Sequence, residues 1–257
     1  MSIEIGRAVS DSVERMASAA GAVSVVAVIL YGFLGGVVWQ ELVAQLVRYA
    51  LDEAGVSYAH LREELLTEAG PAAARQFEQF ADPPLGIGLA GAVALMVLLP
   101  FLGELLYVVA IRALAATRGR QTSFPTDAIT GGLGIAFVRM VIADILLFVL
   151  VGLGLLLILP GIAFMILFLF VRQAIVLDDA GVIGSFKTSY GLARENLGGA
   201  IVVWLAGVTL TFGLLFFGAL VPIPGLTTIG YAVVSIYTVS LTTVAYQQAS
   251  GSRGATI

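Results

Sequence analysis

Three ionisable side chains, Glu104, Arg139 and Asp144, sit inside runs that are otherwise apolar. A charge held in hydrocarbon costs at least a few kcal/mol, so residues of this kind default to an ion pair, a proton relay or a substrate path. Counting inward along helices at 1.5 Å per residue, Glu104 lies about 12 Å deep, Arg139 about 10 Å and Asp144 about 18 Å. Glu104 and Arg139 thus fall at matching depth on consecutive antiparallel spans. The sequence predicts that they meet, because pairing relieves the cost of burying either one. Asp144 either joins them or opens to a water-filled crevice, where it could carry protons.

Other chemistry is thinly supplied. The chain has no cysteine, which removes disulfides, thiolate metal sites and a thiol nucleophile. His60 is the sole histidine, so neither a histidine metal cluster nor a Ser-His triad can be assembled. Asp178 and Asp179 are two adjacent carboxylates with no further ligands nearby, and the reading that needs fewest assumptions is a cap on the helix that follows. The stretch Gly86-Ile87-Gly88-Leu89-Ala90-Gly91 spells GxGxxG, but no strand precedes it and an apolar span continues beyond it, so close helix packing accounts for it better than a dinucleotide. Gly32 and Gly36 form a GxxxG spacing with the same reading. No enzyme signature remains, and no cofactor or metal is expected.

The elements that must position the three charges follow from composition. Of 257 residues 59% are hydrophobic and 12% charged, with mean hydropathy +1.01, where an ordinary soluble domain is about 25% charged. The sequence predicts an all-α integral membrane bundle. Runs near the length needed to cross a hydrocarbon core about 30 Å thick occur at 22 to 47, 86 to 111, 132 to 158, 161 to 177, 199 to 221 and 226 to 246. Leu159-Pro160-Gly161 and Pro222-Ile223-Pro224-Gly225 read as tight turns, so the six spans form three hairpins. The first apolar run is long and follows about twenty residues carrying Glu4, Asp11 and Glu14, unlike a secretory signal, and is expected to be retained.

Amphipathic stretches lie between the hairpins. At 100° per residue Val182, Ala193, Phe186, Leu197, Tyr190 and Ile183 share an arc of about 100°, with Lys187 and Arg194 beside it. Leu192 points elsewhere. This is the layout of a helix lying in the membrane surface with its cations snorkelling to headgroups, or docked on neighbouring spans. Near the N-terminus Ile5, Val9, Val13, Met16 and Ala20 share one face, opposite Glu4, Arg7, Asp11, Glu14, Arg15 and Ser18. A weaker version occupies 123 to 129.

The chain therefore reads as a single membrane domain, 1 to 257, with three pseudo-repeats at 1 to 112, 113 to 172 and 173 to 257, each a surface segment followed by a hairpin. The first repeat carries an outer loop, 48 to 85, with seven acids, which reads as a solvated cap. Leu61, Leu65, Phe77 and Phe80 recur in it at near-helical spacing around Gly70-Pro71.

Lys and Arg fix the expected orientation. Arg7, Arg15, Arg112, Arg118, Arg120, Arg172, Lys187, Arg194 and Arg253 fall on one side, and Arg48, Arg62 and Arg75 on the other. Both termini and the amphipathic helices are expected on the cytoplasmic side of the cell membrane. The net charge of −4 leaves no basic field for nucleic acid. The excess of Arg over Lys with an acidic balance suits a chain made in high salt, and equally GC-rich coding.

The segment FLFVRQAIVLDDAGVIGSFKTSYGLARENLGGAIVVW resembles a family of uncharacterised archaeal, halophile-type polytopic membrane proteins. It is similar more distantly to the membrane domain accompanying some glycerophosphodiester phosphodiesterases. In that pattern an apolar span ends near an Arg or Pro, an acidic turn follows, and an amphipathic S-W/Y-x-L helix leads into the next span. Those features stand here at Arg172, Asp178-Asp179 and Ser189-Tyr190-Gly191-Leu192. The resemblance implies the fold and a cytoplasmic-membrane address. It implies no activity, because the phosphodiesterase domain with its metal-binding carboxylates and histidines has no counterpart in the chain.

Two functions fit these observations. One is a non-enzymatic membrane protein that scaffolds or organises the bilayer, with membrane lipids, another membrane protein or a second copy of itself as partners. The other is a transporter or permease-like protein using a crevice at Glu104, Arg139 and Asp144.

Overall fold

The computed structural model describes residues 3–117, 121–221, 223 and 225–254. Arg118, Arg120, Pro222 and Pro224, and the side chain of Arg253, lie outside the described residues, so their parts in the expected charge bias and second turn are not addressed. Among the described residues there is no strand. In chain order the helices are α1 (Ile5–Met16), α2 (Ala19–Glu53), α3 (Tyr58–Glu64), α4 (Pro71–Ala81), α5 (Gly88–Ala116), α6 (Thr126–Thr130), α7 (Leu133–Leu155), α8 (Leu159–Leu167), α9 (Val171–Leu177), α10 (Val182–Glu195), α11 (Leu197–Leu220) and α12 (Leu226–Gly254).

Six of these segments are long and apolar enough to cross a membrane: α2, α5, α7, the combined stretch Leu159–Leu177, α11 and α12. Their outward faces carry side chains that water would reject. Phe148 is 81% exposed, and Leu156, Phe212 and Phe216 are also open. Apolar surface this continuous identifies lipid as the solvent of the spans. The protein is an all-α, multi-pass integral membrane protein.

The chain divides into two compact units, Met1–Ile29 with Glu104–Ile257, and Leu30–Gly103. In the first, α7 packs on α8 and α11 on α12 as hairpins. The turn between α7 and α8 differs from the expected Leu159-Pro160-Gly161. Pro160 instead opens α8, where its missing N–H costs nothing, and the chain reverses just before it, at Ile158 with φ +57°. Gly161 is the contact surface. A Cβ on Gly154 would lie 2.8 Å from the Gly161 nitrogen, so only glycine lets α7 and α8 approach so closely. The core of this unit gathers Phe170, Leu192, Leu241 and Tyr246, with the rings of Phe170 and Tyr246 5.9 Å apart.

The N-terminal helix α1 docks on α12 by only part of the stripe read from the wheel: Ile5, Met16 and, just beyond the helix, Ala20 pack against the core, but Val9 and Val13 do not. Ala8 and Ser12 are buried, while Val9 and Val13 are exposed. Small residues allow a closer approach than valine, and the Ser240 hydroxyl donates to the Ser12 carbonyl at 3.3 Å. Arg15, expected on the polar face, turns inward and donates to the Leu114 carbonyl at 3.0 Å and Gln247 Oε1 at 2.8 Å. Burial lowers its affinity for its proton, and Asp11 partly offsets this.

In the second unit the outer loop is a helical hairpin. Helix α3 runs into a wider turn at Leu65–Ala69, and Gly70, at φ +85°, reverses the chain into α4 with Pro71 in its first turn. Tyr58 stacks on Phe77 at 5.2 Å, Arg62 pairs with Glu78, and Arg48 meets Asp82 at 3.0 Å. Tyr58 donates to Asp82 at 2.7 Å, and its hydroxyl is held above its ordinary pKa by burial and then by that carboxylate. His60 is exposed.

One buried carboxylate in this unit was not anticipated. Glu41 is fully buried in α2 and accepts hydrogen bonds from the backbone N–H groups of Leu85 at 2.7 Å, Gly86 at 3.2 Å and Ile87 at 3.1 Å, and from Gln45 Nε2 at 3.0 Å. Gly86 and Gly88 have φ of +64° and +74°, which turns successive N–H groups to one side. The GxG of residues 86 to 88 is thus an anion-binding nest after all, filled by the protein's own carboxylate at the start of α5. Of the expected GxxxG pair, Gly36 faces open space, and at its neighbour Gly35 an added Cβ would lie 3.4 Å from Leu99, an ordinary contact.

Candidate functional site

The polar centre of the first unit is Arg172, which the sequence reading placed among the cytoplasmic cations. It stands in the first turn of α9. Its Nε donates to Asp144 Oδ1 at 3.0 Å, and its Nη2 to Asp144 Oδ2 at 3.0 Å and to Glu104 Oε1 at 3.4 Å. The Tyr107 ring covers the guanidinium at 4.4 Å. Glu104 and Tyr107 are three residues apart on α5 and so share a face, while Asp144 comes from the middle of α7.

Glu104 and Asp144 therefore belong to one site, as the sequence allowed, but Arg139 does not join it. Arg139 Nη1 donates to the Asp179 carboxylate at 2.6 Å and to the Asp179 carbonyl at 2.7 Å. The reason is angular. Residues 139 and 144 are five apart, which places them about 140° apart around α7, so both cannot face one neighbour. Asp144 takes the inward direction.

Arg172 owes its position to a break in the fourth span. Helix α8 stops at Leu167 and α9 starts at Val171, and the gap is bridged from another element. The Ser189 hydroxyl of α10 accepts from the Phe170 N–H at 3.0 Å and donates to the Leu167 carbonyl at 3.0 Å. One hydroxyl thus satisfies a donor and an acceptor that the interruption leaves open in a setting without water.

That role decides how α10 docks. Ser185, Ser189, Leu192 and Ala193 are buried, whereas Ile183, Tyr190, Lys187 and Arg194 lie exposed and Phe186 is half-buried against Phe168. The expected stripe is therefore split: Ala193 and part of Phe186 face the protein, and Ile183, Tyr190 and Leu197 face outward. Leu192, which fitted the wheel worst, is among the most buried residues.

Asp178 and Asp179 do not cap α10. Gly181 occupies the cap position, without a side-chain hydrogen bond. The two carboxylates are drawn instead to the Tyr246 hydroxyl, which donates to Asp178, and to Arg139, which donates to Asp179.

When all three groups are ionised, two carboxylates face one guanidinium, and the cluster carries an uncompensated negative charge. Glu104 Oε2 is buried with no hydrogen-bond partner. Two cavities lie at the two ends of α9. A groove of about 500 Å³ reaches Asp144 and Arg172 between α7 and α8, and its other lining is apolar. A cleft of about 670 Å³ lies at the opposite end, bordered by Arg112, Asp178, Asp179, Tyr246 and Gln247. Arg112 is anchored there by the carbonyls of Ile129, at 2.8 Å, and Gly131.

Sequence reasoning missed Arg172, Ser189 and Glu41 as site-forming residues. Arg172 was visible as a cation five residues inside the end of an apolar run, and Glu41 as an acid within the first span. Ser189 stood out only as part of the Ser189-Tyr190-Gly191-Leu192 resemblance, and nothing local gave its task, since its bonds run to residues about twenty positions away. Among the described residues no group of three or more His, Asp or Glu side chains is arranged to hold a metal. No protein-family model, curated protein or solved structure matches the chain.

Proposed function

We propose that the chain is a permease-like membrane protein whose working groups are Glu104, Asp144 and Arg172. The observation that carries this reading is the charge imbalance of that cluster beside an interrupted span. An excess negative charge within lipid is costly, and a bound proton or cation removes it. Reversible uptake of such a charge is the elementary act of a permease. Spans broken beside polar groups recur in transport sites, where irregular backbone is tolerated because it lines a cavity. Arg172, at the groove, and Asp178, which follows α9 at the cleft, are six positions apart, about 9 Å of helix. Arg139 has no part in the crevice on this reading, and serves with Asp179 to hold the end of α7.

The test is proton and cation flux into proteoliposomes containing a pH-sensitive dye, under an imposed membrane potential. Flux above that of protein-free vesicles, lowered by Asp144→Asn and by Glu104→Gln, is expected. Wild-type flux equal to that of empty vesicles would end the proposal.

A second reading, a membrane-organising protein, is favoured by the outward apolar residues of α1 and α10, Val9, Val13, Ile183 and Tyr190, beside Lys187 and Arg194. It requires a partner or retained lipid that co-purifies with the protein and is lost when Ile183 and Tyr190 are replaced by serine. Both readings take the termini as cytoplasmic, on the Lys and Arg bias of the loops. Kinship with the archaeal membrane family is likewise a proposal. The serine of the Ser189-Tyr190-Gly191-Leu192 motif supports it by having a structural task that such a fold would need.

A further inference from the structure

The groove between α7 and α8 is asymmetric along its length. Its walls are Leu147, Phe148 and Val151 on one side and Phe164, Met165 and Phe168 on the other, and the charges that line it among the described residues, Asp144 and Arg172, stand at one end. From Asp144 to Val151 the groove follows seven residues of α7, about 10 Å. Phe148 lies well inside the spanning helix α7 and is 81% exposed, so this wall of the groove is open on the lipid side of the span. A space of this kind suits an amphiphile, with its apolar chain along the aromatic walls and its head at the charged end.

The sign of the head follows from which groups at that end are still open. Arg172 spends Nε and Nη2 on Asp144 and Glu104, and Tyr107 covers the face of its guanidinium. An anionic head would find only the Nη1 donors outside these contacts, and would add a second uncompensated negative charge to a cluster that already holds two carboxylates against one guanidinium. Each Asp144 oxygen accepts one bond from Arg172, and a carboxylate has about four lone-pair directions, so acceptor capacity remains. The cluster as a whole is short of one positive charge. The faces of Phe148, Phe164 and Phe168 also attract cations and repel anions.

We infer that the groove binds lipophilic monocations, molecules with a cationic amine head and an apolar chain, the head resting on Asp144 and the chain lying between α7 and α8. This rests on the permease reading and names the substrate class of the same crevice.

The experiment is saturable binding to the full chain in nanodiscs of zwitterionic lipid, with empty discs subtracted. The probes are dodecylammonium, dodecanol and dodecyl sulfate, which share one chain and differ in head charge, used below concentrations that disrupt the disc. Dodecylammonium is expected to bind at least about tenfold more tightly than the other two, the size of one partly screened charge contact. Asp144→Asn balances Glu104 against Arg172 and is expected to abolish the preference. Val151→Trp, which fills the groove and leaves the charges alone, is expected to weaken all three. Equal binding of the three probes by the wild type overturns the inference, leaving a groove for lipid chains only, and tightest binding of dodecyl sulfate overturns it in favour of Arg172 as the head's partner. The wild-type series decides even where Asp144→Asn fails to fold. Selective binding without flux keeps the ligand class and removes the permease reading, whereas flux without cation selectivity does the reverse.

Discussion

Replacing Glu41 by glutamine changes one atom in the middle of α2, yet its cost can be worked out bond by bond. Four donors converge on the two carboxylate oxygens: three backbone N–H groups at 2.7, 3.2 and 3.1 Å and the Gln45 amide at 3.0 Å. Glutamine keeps one acceptor oxygen, which can serve the N–H groups of Leu85 and Gly86. Its amide nitrogen then points at the Ile87 N–H, and that donor is orphaned, while the Gln45 amide can turn its own oxygen to meet the new group. An orphaned buried N–H costs about 1–3 kcal/mol, and two charge-assisted bonds become neutral ones at roughly 1 kcal/mol in total, so Glu41→Gln should cost about 2–4 kcal/mol. For a chain of this size that corresponds to a fall in Tm of about 5–15 °C. The assay is thermal unfolding in mild detergent, read together with hydrogen exchange at the amides of residues 85 to 87, which should accelerate. A Tm shift under about 1 °C with unchanged exchange at those amides would refute the nest, because no rearrangement of glutamine satisfies all four donors.

Three other outcomes are expected. Arg172→Met leaves two carboxylates without their cation and should destabilise the fold by about 3–5 kcal/mol, measured by thermal unfolding; combining it with Glu104→Gln and Asp144→Asn should restore much of the loss. Failure of that rescue would count against the triad. Ser189→Ala orphans the Phe170 N–H and the Leu167 carbonyl, at about 1–3 kcal/mol for each buried group, and should speed hydrogen exchange at Phe170 while leaving residues 85 to 87 unchanged. Since the native chain has no cysteine, Lys187→Cys and His60→Cys can each be labelled singly with a membrane-impermeant maleimide. Both residues are exposed and are expected to react from opposite sides, so labelling from one compartment would sink the topology.

Much of the fold was legible because one physical term dominates it. Long apolar runs must satisfy their backbone internally within lipid, and helices are the form open to them, so the existence of six spans follows from hydropathy alone. The shorter helices α1 and α10 were legible as helices for the same kind of reason, a periodicity near 3.6 residues. Which face of each would dock was not. The wheel ranks side chains by hydrophobicity, whereas lipid offers valine and isoleucine as good a home as the protein does. What decides docking there is close approach and hydrogen bonding, so Ala8, Ser12, Ser185 and Ser189 turn inward and Val9, Val13 and Ile183 turn out.

The sequence by itself determined the solvent, the helices and the presence of charges that lipid would not leave unpaired. Tertiary structure alone decided the pairing, because depth along a span is set by counting residues whereas direction around it depends on which neighbour lies there. Glu104 and Arg139 match in depth and miss in angle. Asp144 and Arg172 meet because Ser189, arriving from another helix, holds open the break from which Arg172 projects. Glu41 likewise finds its donors more than forty residues along the chain, where two glycines turn the backbone of residues 85 to 87 towards it. Contacts of that kind are fixed by the closing of the chain on itself, and no local pattern carries them.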